Sequence, residues 1–287
     1  MHSDSDRLVQ ANSFGAAAEA YERGRPEYPG AALDWLLAVA PAERTAARTT
    51  QRSAQQTTQR TTPQEIPWET VRELPRDVVD LGAGTGKLTR SLCARGLAVA
   101  AVEPSEGMRE VLAVAVPDAR VLSGSAEAIP LADASADVVL AAQAWHWVDT
   151  DAAIPEVARV LRPGGTLGLV WNVRDEREDW VAALSRLLDP DGARATAGEG
   201  VNGLDDHPDL FHPVERFDVE WSQTLTGDQL VDLVASRSYV ITMAATEREA
   251  LLTEVRALLD RHPALAGRER VELPYRTNCY RARRTGL

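Results

Sequence analysis

The stretch from Val78 to Thr89 constrains the fold of this chain more than any other. It reads VVDLGAGTGKLT, with apolar residues around one acid, glycines at alternate positions, and leucines that begin a helical spacing. This pattern predicts a short buried strand, a tight turn and a helix N-terminus. Glycine permits a positive φ and leaves room for a ligand, while the free amides of a helix start attract a carboxylate or phosphate. We expect a ligand at this turn; the alternative is a tight turn that holds none.

The glycine spacing separates this turn from two nucleotide-binding motifs. The dinucleotide fingerprint needs G-x-G-x-x-G, but the sixth residue counted from Gly82 is Lys87. The P-loop needs glycine where Leu81 stands, and serine or threonine where Leu88 stands. What remains, D-L-G-x-G-x-G, resembles motif I of the class I S-adenosylmethionine-dependent methyltransferases. The resemblance implies the cofactor S-adenosyl-L-methionine, held by Asp80, Gly82, Ala83, Gly84, Thr85 and Gly86.

From residue 77 onward, short apolar strands alternate with amphipathic helices, which is typical of βαβ units and a parallel sheet. The first predicted strand ends at Leu81. The other six span Ala98 to Val102, Arg120 to Leu122, Asp137 to Ala142, Thr166 to Trp171, Val214 to Trp221 and Val271 to Ala282. In the resembled family the last strand enters antiparallel between the fifth and the sixth. The expected fold is therefore α/β, a Rossmann-like doubly wound sheet of seven strands, mostly parallel, with helices on both faces.

Two capping boxes predict helices late in the chain. Thr226 and Gln229 form the first box, and Thr246 and Glu249 form the second.

The turn RPGG at residues 162–165 matches a turn of the same family before the fifth strand. Its role is to stop a helix, because proline cannot continue one and glycine caps its end.

Three segments are predicted: an N-terminal helical cap at 1–40, a polar disordered insertion at 41–76, and a methyltransferase core at 77–287 with acceptor-side additions after 172. Residues 44–62 contain no acidic and no large apolar side chain, so burial cannot offset their ordering entropy.

The cap, with RPEYP at residues 25–29, is similar to the segment that covers the cleft in small-molecule members of the family. The resemblance implies that Tyr21 and Arg25 contact the substrate; the alternative is packing onto the core, which is favoured for Tyr28.

The overall charge and the cysteines limit the partners and the compartment. A net charge of −12 argues against a nucleic-acid partner, since there is no basic surplus for phosphates. The two cysteines, Cys93 and Cys279, cannot form a disulfide framework and favour a reduced, cytoplasmic protein. No apolar run approaches membrane-spanning length and the first ten residues do not resemble a signal peptide. We expect no membrane partner, no metal, and a monomer or homodimer.

Glu103 ends the second strand, 23 positions after Asp80. A carboxylate about 20 residues beyond a glycine-rich turn can accept hydrogen bonds from ribose hydroxyls. In the resembled family this position does so, and the methionine that follows packs against the adenine. The alternative is a solvated surface carboxylate. The implied cofactor contacts are Glu103, Pro104, Ser105 and Met108.

The sequence GSAEAIPL at residues 124–131 resembles the third cofactor loop of the family. Many members carry an aspartate, which accepts from the adenine amino group, where this chain has Ser125. The contact is then left to the Ser125 hydroxyl, the Ala126 backbone or Glu127. The alternative is an ordinary connection between a strand and a helix.

The sequence AQAWHWVD at residues 142–149 follows the fourth strand, near the expected switch point of the sheet, where ligands gather. Aromatic faces can stabilise a sulfonium cation, and His146 is the candidate general base for an acceptor. Trp147 is the candidate acceptor contact, while Gln143 and Ala144 are expected beside the cofactor. The alternative is structural: one of the two tryptophans packs into the core and the histidine is only hydrogen-bonded.

The RPEYP cap and AQAWHWVD together are most similar to the branch that methylates small metabolites, including trans-aconitate-type carboxylates. The implied activity is methyl transfer by in-line displacement, to which the protein contributes positioning and desolvation. One alternative is another acceptor, such as a quinone-like ring or a natural-product hydroxyl. Another is a cofactor-binding protein without turnover, serving as a regulator or scaffold. The glycine spacing disfavours a dehydrogenase.

Overall fold

A computed structural model describes residues 26–38, 76–190 and 203–286. The predicted insertion at 41–76 lies outside these ranges except for residue 76, as does most of the predicted cap. The strands are β1 (Asp77–Leu81), β2 (Ala98–Val102), β3 (Arg120–Leu122), β4 (Ala136–Ala142), β5 (Leu161–Arg174), β6 (Glu215–Thr226) and β7 (Arg270–Arg283). The helices are α1 (Gly30–Leu36), α2 (Lys87–Cys93), α3 (Glu106–Ala115), α4 (Thr150–Val160), α5 (Asp179–Leu188), α6 (Gly227–Ala235), α7 (Ser238–Ile241) and α8 (Ala245–Arg261). Two short 3₁₀ helices, Trp145–Trp147 and Leu204–Asp206, complete the described elements.

Within the described ranges, seven strands form one sheet in the order β3-β2-β1-β4-β5-β7-β6. Neighbours from β3 to β5 pair in parallel, whereas β7 pairs antiparallel with both β5 and β6. The predicted fold class is confirmed, including the antiparallel last strand between the fifth and the sixth. Strand order reverses between β1 and β4, which places the switch point beside the glycine-rich turn.

The strands of the central sheet are apolar on both faces because helices cover both. In β1, Val78 packs into a cluster with residues of α1 and α2, and its neighbour Val79 packs into a cluster with residues of α4. Successive strand residues point to opposite faces, so both must be apolar for a sheet buried on two sides.

Within the described ranges, no helix combines the length and the apolar composition that a membrane crossing needs.

Helix α1 belongs to the predicted cap, of which residues 26–38 are described, and it packs directly on the sheet. Leu33 and Leu36 are fully buried. The guanidinium of Arg281 on β7 donates to the Trp35 carbonyl over 2.8 Å and lies 4.2 Å from the centre of the Trp35 ring. This cation–π contact and hydrogen bond hold α1 against β7.

One capping box is confirmed and the other is wrong. Thr226 accepts from the Gln229 amide over 3.2 Å, and the Gln229 side chain accepts from the Thr226 amide over 2.9 Å. Helix α8, however, begins at Ala245 after Ala244, which makes no side-chain cap hydrogen bond. Thr246 is therefore already helical, and the cap position needs a non-helical residue.

The RPGG turn lies inside β5 rather than ahead of it. Leu161 pairs with Ala136 and Thr166 pairs with Val138, so the register shifts across the turn. The turn ends α4 at Val160, as expected of proline, but the chain is already extended when it enters the turn. A bulge of this kind adds residues to one strand without ending the ladder.

Candidate active site

The turn between β1 and α2 combines one crowded glycine and one open glycine. Gly86 precedes α2 with φ +93°, and a Cβ there would lie 2.2 Å from Leu112 Cδ1 of α3. Gly84 has φ +57°, and a Cβ there would meet one atom within 4 Å, Met108 Sδ at 3.9 Å. Gly86 thus packs the turn onto α3, whereas Gly84 leaves open space above the turn, bordered by the Met108 thioether.

The Glu103 carboxylate holds this turn against the end of β2. Its Oε2 accepts from the Gly84 amide over 2.9 Å and its Oε1 accepts from the Ser105 amide over 2.9 Å. Glu103 is only 5% exposed, and burial raises the pKa of its carboxyl while the two amide bonds oppose that rise. A carboxylate offers about four acceptor sites. Two of them are used by backbone amides, so each oxygen retains capacity for a further donor.

Asp80 lies beneath the turn and is almost fully buried. Its Oδ2 accepts from the Thr89 hydroxyl over 2.6 Å, which joins β1 to α2. Desolvation raises the pKa of Asp80 to about 7; the Thr89 hydrogen bond opposes this, and the nearby Glu103 charge adds to it. The carboxyl therefore changes its charge close to neutral pH.

We expect Asp80 to make the ligand-free protein less stable as the pH rises from about 4 to about 7. The pKa of Asp80 is higher in the folded chain than in the unfolded one, so the unfolded chain loses its proton first and deprotonation favours unfolding. Between about pH 5 and about pH 8, the free energy of unfolding of the wild type should fall by about 2–4 kcal/mol more than that of Asp80→Asn. Urea unfolding of both proteins measures the difference. Curves that stay parallel with pH would contradict the burial argument.

A cavity opens over the turn at the carboxyl ends of β1, β4 and β5. The described residues that line it are Pro26, Tyr28, Asp80, Gly82, Ala83, Gly84, Thr85, Lys87, Leu88, Ala142, Gln143, Asn172, Arg237 and Tyr275. It thus gathers Asp80, Gln143 and the predicted turn residues from Gly82 to Thr85, whereas the predicted Gly86 is not part of its described lining. Sequence reasoning missed Asn172, Arg237 and Tyr275, which follow the part of the chain where the family resemblance is clear.

Asn172 is the centre of a polar chain along the cavity wall. Its Oδ1 accepts from the Thr277 hydroxyl over 2.6 Å, and its Nδ2 donates to the Glu27 carbonyl over 3.2 Å. Thr277 in turn accepts from the Trp221 indole over 2.8 Å, and the Gln143 side chain donates to the Asn172 carbonyl over 3.1 Å. These bonds fix the orientation of the Asn172 amide and tie residues 26–29 to the sheet beside the cavity.

The aromatic cluster after β4 has one buried and two exposed members. Trp145 is 1% exposed and packs in the core, as one of the two tryptophans was expected to do. His146 and Trp147 are exposed, with their ring centres 4.7 Å apart. The described lining of the cavity includes neither, so the structure places the candidate base and the candidate acceptor contact on the surface of this turn.

The third loop is anchored mainly by structural contacts. Glu127 Oε1 accepts from the Asp149 amide over 2.9 Å at the start of α4. Ser125 forms a bridge with Ala128, and Ala126 is buried. The described lining of the cavity contains none of these loop residues. Glu127 thus has a role in holding α4 that the sequence pattern did not indicate.

The remaining predicted residues fall into three groups. Met108 and Ser105 are buried beside the turn, whereas Pro104 is exposed. Ala144 lies against the turn, since its Cβ would be 2.8 Å from a Cβ on Gly82. The two predicted substrate contacts of the cap, Tyr21 and Arg25, lie outside the described residues. Among the described residues, no cluster of three or more His, Cys, Asp and Glu is placed to hold a metal ion.

Comparisons with known proteins agree with this geometry. A family model described as a methyltransferase domain matches residues 79–169, which run from β1 into β5. An uncharacterized methyltransferase of Mycobacterium tuberculosis is 49% identical over 94% of this chain and 95% of the relative. A malonyl-[acyl-carrier protein] O-methyltransferase of Methylococcus capsulatus is 41% identical over 32% of this chain and 36% of its own length.

A solved structure extends the likeness beyond β5 to most of the chain. A protein assigned as a type II methyltransferase of Anaeromyxobacter dehalogenans is 25% identical, with a TM-score of 0.51. The match covers 91% of this chain and 97% of that one. With its sheet order, its glycine-rich turn and a relative of nearly equal length, the chain belongs to the class I S-adenosylmethionine-dependent methyltransferase family.

Proposed function

We propose that this protein transfers a methyl group from S-adenosylmethionine to a small-molecule acceptor. The observation that carries the proposal is the hydrogen bond from the Gly84 amide to the Glu103 carboxylate, at the glycine above which the space is open. The remaining lone pairs of this carboxylate can accept from two neighbouring hydroxyls, as a ribose presents them. The Met108 thioether borders the same space and offers a polarizable surface for an aromatic ring.

The residues present fit S-adenosylmethionine on the evidence of this open space. A side chain at Gly84 would fill it, whereas glycine leaves it free. Asp80 and the turn residues 82–86 would lie under the cofactor, Glu103 would hold its ribose, and Met108 would pack against its adenine. The adenine edge would be left to Ser125, Ala126 or Glu127, and Gln143 and Ala144 would lie near the sulfur. When bound, S-adenosylmethionine would supply an electrophilic methyl group: an acceptor lone pair would form a bond to the methyl carbon, and the carbon–sulfur electron pair would leave with the sulfur.

The protein's main contribution to this reaction is positioning. Asn172 and Tyr275 line the cavity together with Pro26 and Tyr28, and they would hold an acceptor in one orientation and displace water from the line of attack. A carboxylate acceptor needs no general base, because it is already ionised near neutral pH. For a hydroxyl acceptor a proton must leave, and His146 remains the candidate to receive it from its exposed position.

Titration calorimetry tests the proposal most directly. We expect S-adenosylmethionine and its demethylated product, S-adenosylhomocysteine, to bind and NAD to give no heat, because the glycine spacing does not fit a dinucleotide. Transfer of a labelled methyl group from the cofactor to a bacterial small-molecule extract then tests turnover. Binding of NAD in place of S-adenosylmethionine would overturn the proposal. Cofactor binding with no transfer to any fraction would instead support a regulator or scaffold.

A further inference from the structure

We infer that the side-chain amide of Asn172 selects the acceptor, by donating a hydrogen bond to an oxygen that lies beside the atom to be methylated. This role rests on the proposed methyl transfer and deepens it by naming a residue that determines specificity. Three observations carry it. A chain of hydrogen bonds fixes which end of the amide is the donor, Asn172 lines the cavity, and it lies near the carboxyl end of β5.

The direction of this chain of hydrogen bonds is set by the indole of Trp221. An indole N–H can only donate, so the Thr277 hydroxyl must accept from it, over 2.8 Å. The hydrogen of the Thr277 hydroxyl is then left for Asn172 Oδ1, which is 2.6 Å away. Because Thr277 is fully buried, its hydroxyl is shielded from water. The chain therefore runs in one direction, from Trp221 through Thr277 to Asn172.

The other end of the Asn172 amide agrees with this direction. Its Nδ2 lies 3.2 Å from the Glu27 carbonyl, which can only accept. In the flipped amide, Oδ1 would face this carbonyl and two acceptors would oppose each other. The Thr277 hydroxyl would meanwhile face Nδ2, and its hydrogen would lose its acceptor. The partners at both ends thus determine which atom of the amide is oxygen and which is nitrogen.

The fixed amide leaves one N–H for a ligand. An amide nitrogen carries two hydrogens. One of them is used on the Glu27 carbonyl, and among the described residues Nδ2 contacts no second acceptor. The Asn172 backbone is held as well, since it pairs with Thr277 of β7 and its carbonyl accepts from the Gln143 side chain over 3.1 Å. Because Asn172 lines the cavity, the second N–H is a donor of fixed orientation that it offers there.

The order of the strands places this donor on the acceptor side of the cofactor. The sheet runs from β2 through β1 and β4 to β5. In the proposed binding mode Glu103, after β2, holds the ribose and Gln143, after β4, lies near the sulfur. Neighbouring strands are about 4.8 Å apart, so Asn172 on β5 lies one strand beyond the sulfur and three strands from the ribose. The group that meets the Asn172 N–H therefore belongs to the acceptor, and it must have a lone pair to accept with.

Asn172→Asp tests the donor directly. Wild type is first given labelled S-adenosylmethionine and a bacterial small-molecule extract, and mass spectrometry identifies the labelled products, which should carry an oxygen beside the methylated atom. Aspartate still accepts from Thr277 but has no N–H, so transfer to the identified acceptor should fall at least about tenfold. The affinity for S-adenosylhomocysteine, measured by calorimetry, should stay within about threefold of wild type.

Variants of Thr277 test whether the direction of the amide matters. Thr277→Val cannot donate to Asn172 Oδ1, so it should raise the KM for the acceptor by about threefold to tenfold. Thr277→Ser keeps the hydroxyl and should restore the wild-type KM. The matched control is Thr224→Val on β6, whose hydroxyl donates to Glu272 over 2.6 Å and is not part of the described lining of the cavity. This control should leave the KM unchanged.

An analogue of the identified acceptor that lacks the neighbouring oxygen separates recognition from a loosened cavity wall. Wild type should use the analogue at least about tenfold less well than the parent compound, whereas Asn172→Asp should use the two about equally. Equal use by wild type, a preference for the parent compound that persists in Asn172→Asp, or products without such an oxygen would overturn the inference and leave methyl transfer intact.

Two further outcomes concern the cofactor. Weaker S-adenosylhomocysteine binding in Asn172→Asp, by about tenfold, would show that the amide holds the cofactor, and would also overturn the inference. Failure of wild type to bind the cofactor, or to label any product, would overturn the proposed function itself.

Discussion

Replacement of Glu103 by glutamine should weaken the binding of S-adenosylmethionine by about tenfold to a hundredfold. Hydrogen bonds to a charged group contribute about 1.5–3 kcal/mol, and each factor of ten in affinity corresponds to about 1.4 kcal/mol. The wild-type carboxylate accepts from the amides of Gly84 and Ser105 with separate oxygens. Glutamine has one acceptor oxygen, so its NH₂ group would face one of those two amide donors. The variant thus loses the charge offered to the ribose and disturbs the anchor of the turn.

The matched control is Glu127→Gln, which makes the same change in charge and size. Glu127 accepts from the Asp149 amide at the start of α4, away from the glycine-rich turn. We expect cofactor affinity to fall less than in Glu103→Gln when both are measured by calorimetry at one salt concentration. Equal losses in the two variants would mean that bulk negative charge, rather than the register of Glu103 with the turn, controls binding.

Replacement of Gly86 by alanine should lower the free energy of unfolding by about 2–5 kcal/mol. A left-handed backbone costs a residue with a Cβ about 1–2 kcal/mol, and Gly86 has φ +93°. The new methyl would also lie 2.2 Å from Leu112 Cδ1, and overpacking of this kind costs about 1–3 kcal/mol. Urea unfolding without cofactor measures the sum. Cofactor binding should weaken as well, because the turn would move.

Gly96 provides a control that separates these two costs. It also has a positive φ, +77°, but a Cβ there would meet no atom within 4 Å. Gly96→Ala should therefore cost only about 1–2 kcal/mol, the part due to the backbone. If Gly86→Ala costs no more than Gly96→Ala, the contact with α3 is not the constraint on this turn.

Local sequence patterns were sufficient to predict the glycine-rich turn, but they did not predict that Tyr275 and Arg237 line the same cavity. The run VVDL shows a strand buried on both faces, and the alternate glycines show a tight turn, because both signals lie within a few neighbouring residues. Tyr275 and Arg237 have no such signal. Tyr275 reaches the cavity because β7 pairs with β5, with Arg174 opposite Tyr275. No pattern within one segment specifies a pairing between residues a hundred positions apart, and the predicted place of the last strand came from the family resemblance.

The differences in detail have similar causes. The box at Thr246 failed because the cap position of α8 is Ala244, two residues earlier, which leaves Thr246 inside the first helical turn. The cluster after β4 was located correctly, yet its sequence could not show which ring faces inward. A 3₁₀ helix turns about 120° per residue, so Trp145 enters the core while His146 and Trp147 point elsewhere.

The position of β7 between β5 and β6 also sets an order of events during folding. Strands β1 to β5 form parallel pairs with neighbours that are all synthesised before residue 175, so that half of the sheet can assemble early. Strand β6 has no partner among them, because its neighbour in the sheet is β7. During synthesis β6 stays unpaired, with its backbone hydrogen-bonding groups unsatisfied, until the chain beyond residue 269 emerges and β7 inserts beside β5. Such late, long-range closure is slow and exposes strand edges to other chains, so the part of the sheet formed by β6 and β7 is where newly made molecules are most prone to aggregate.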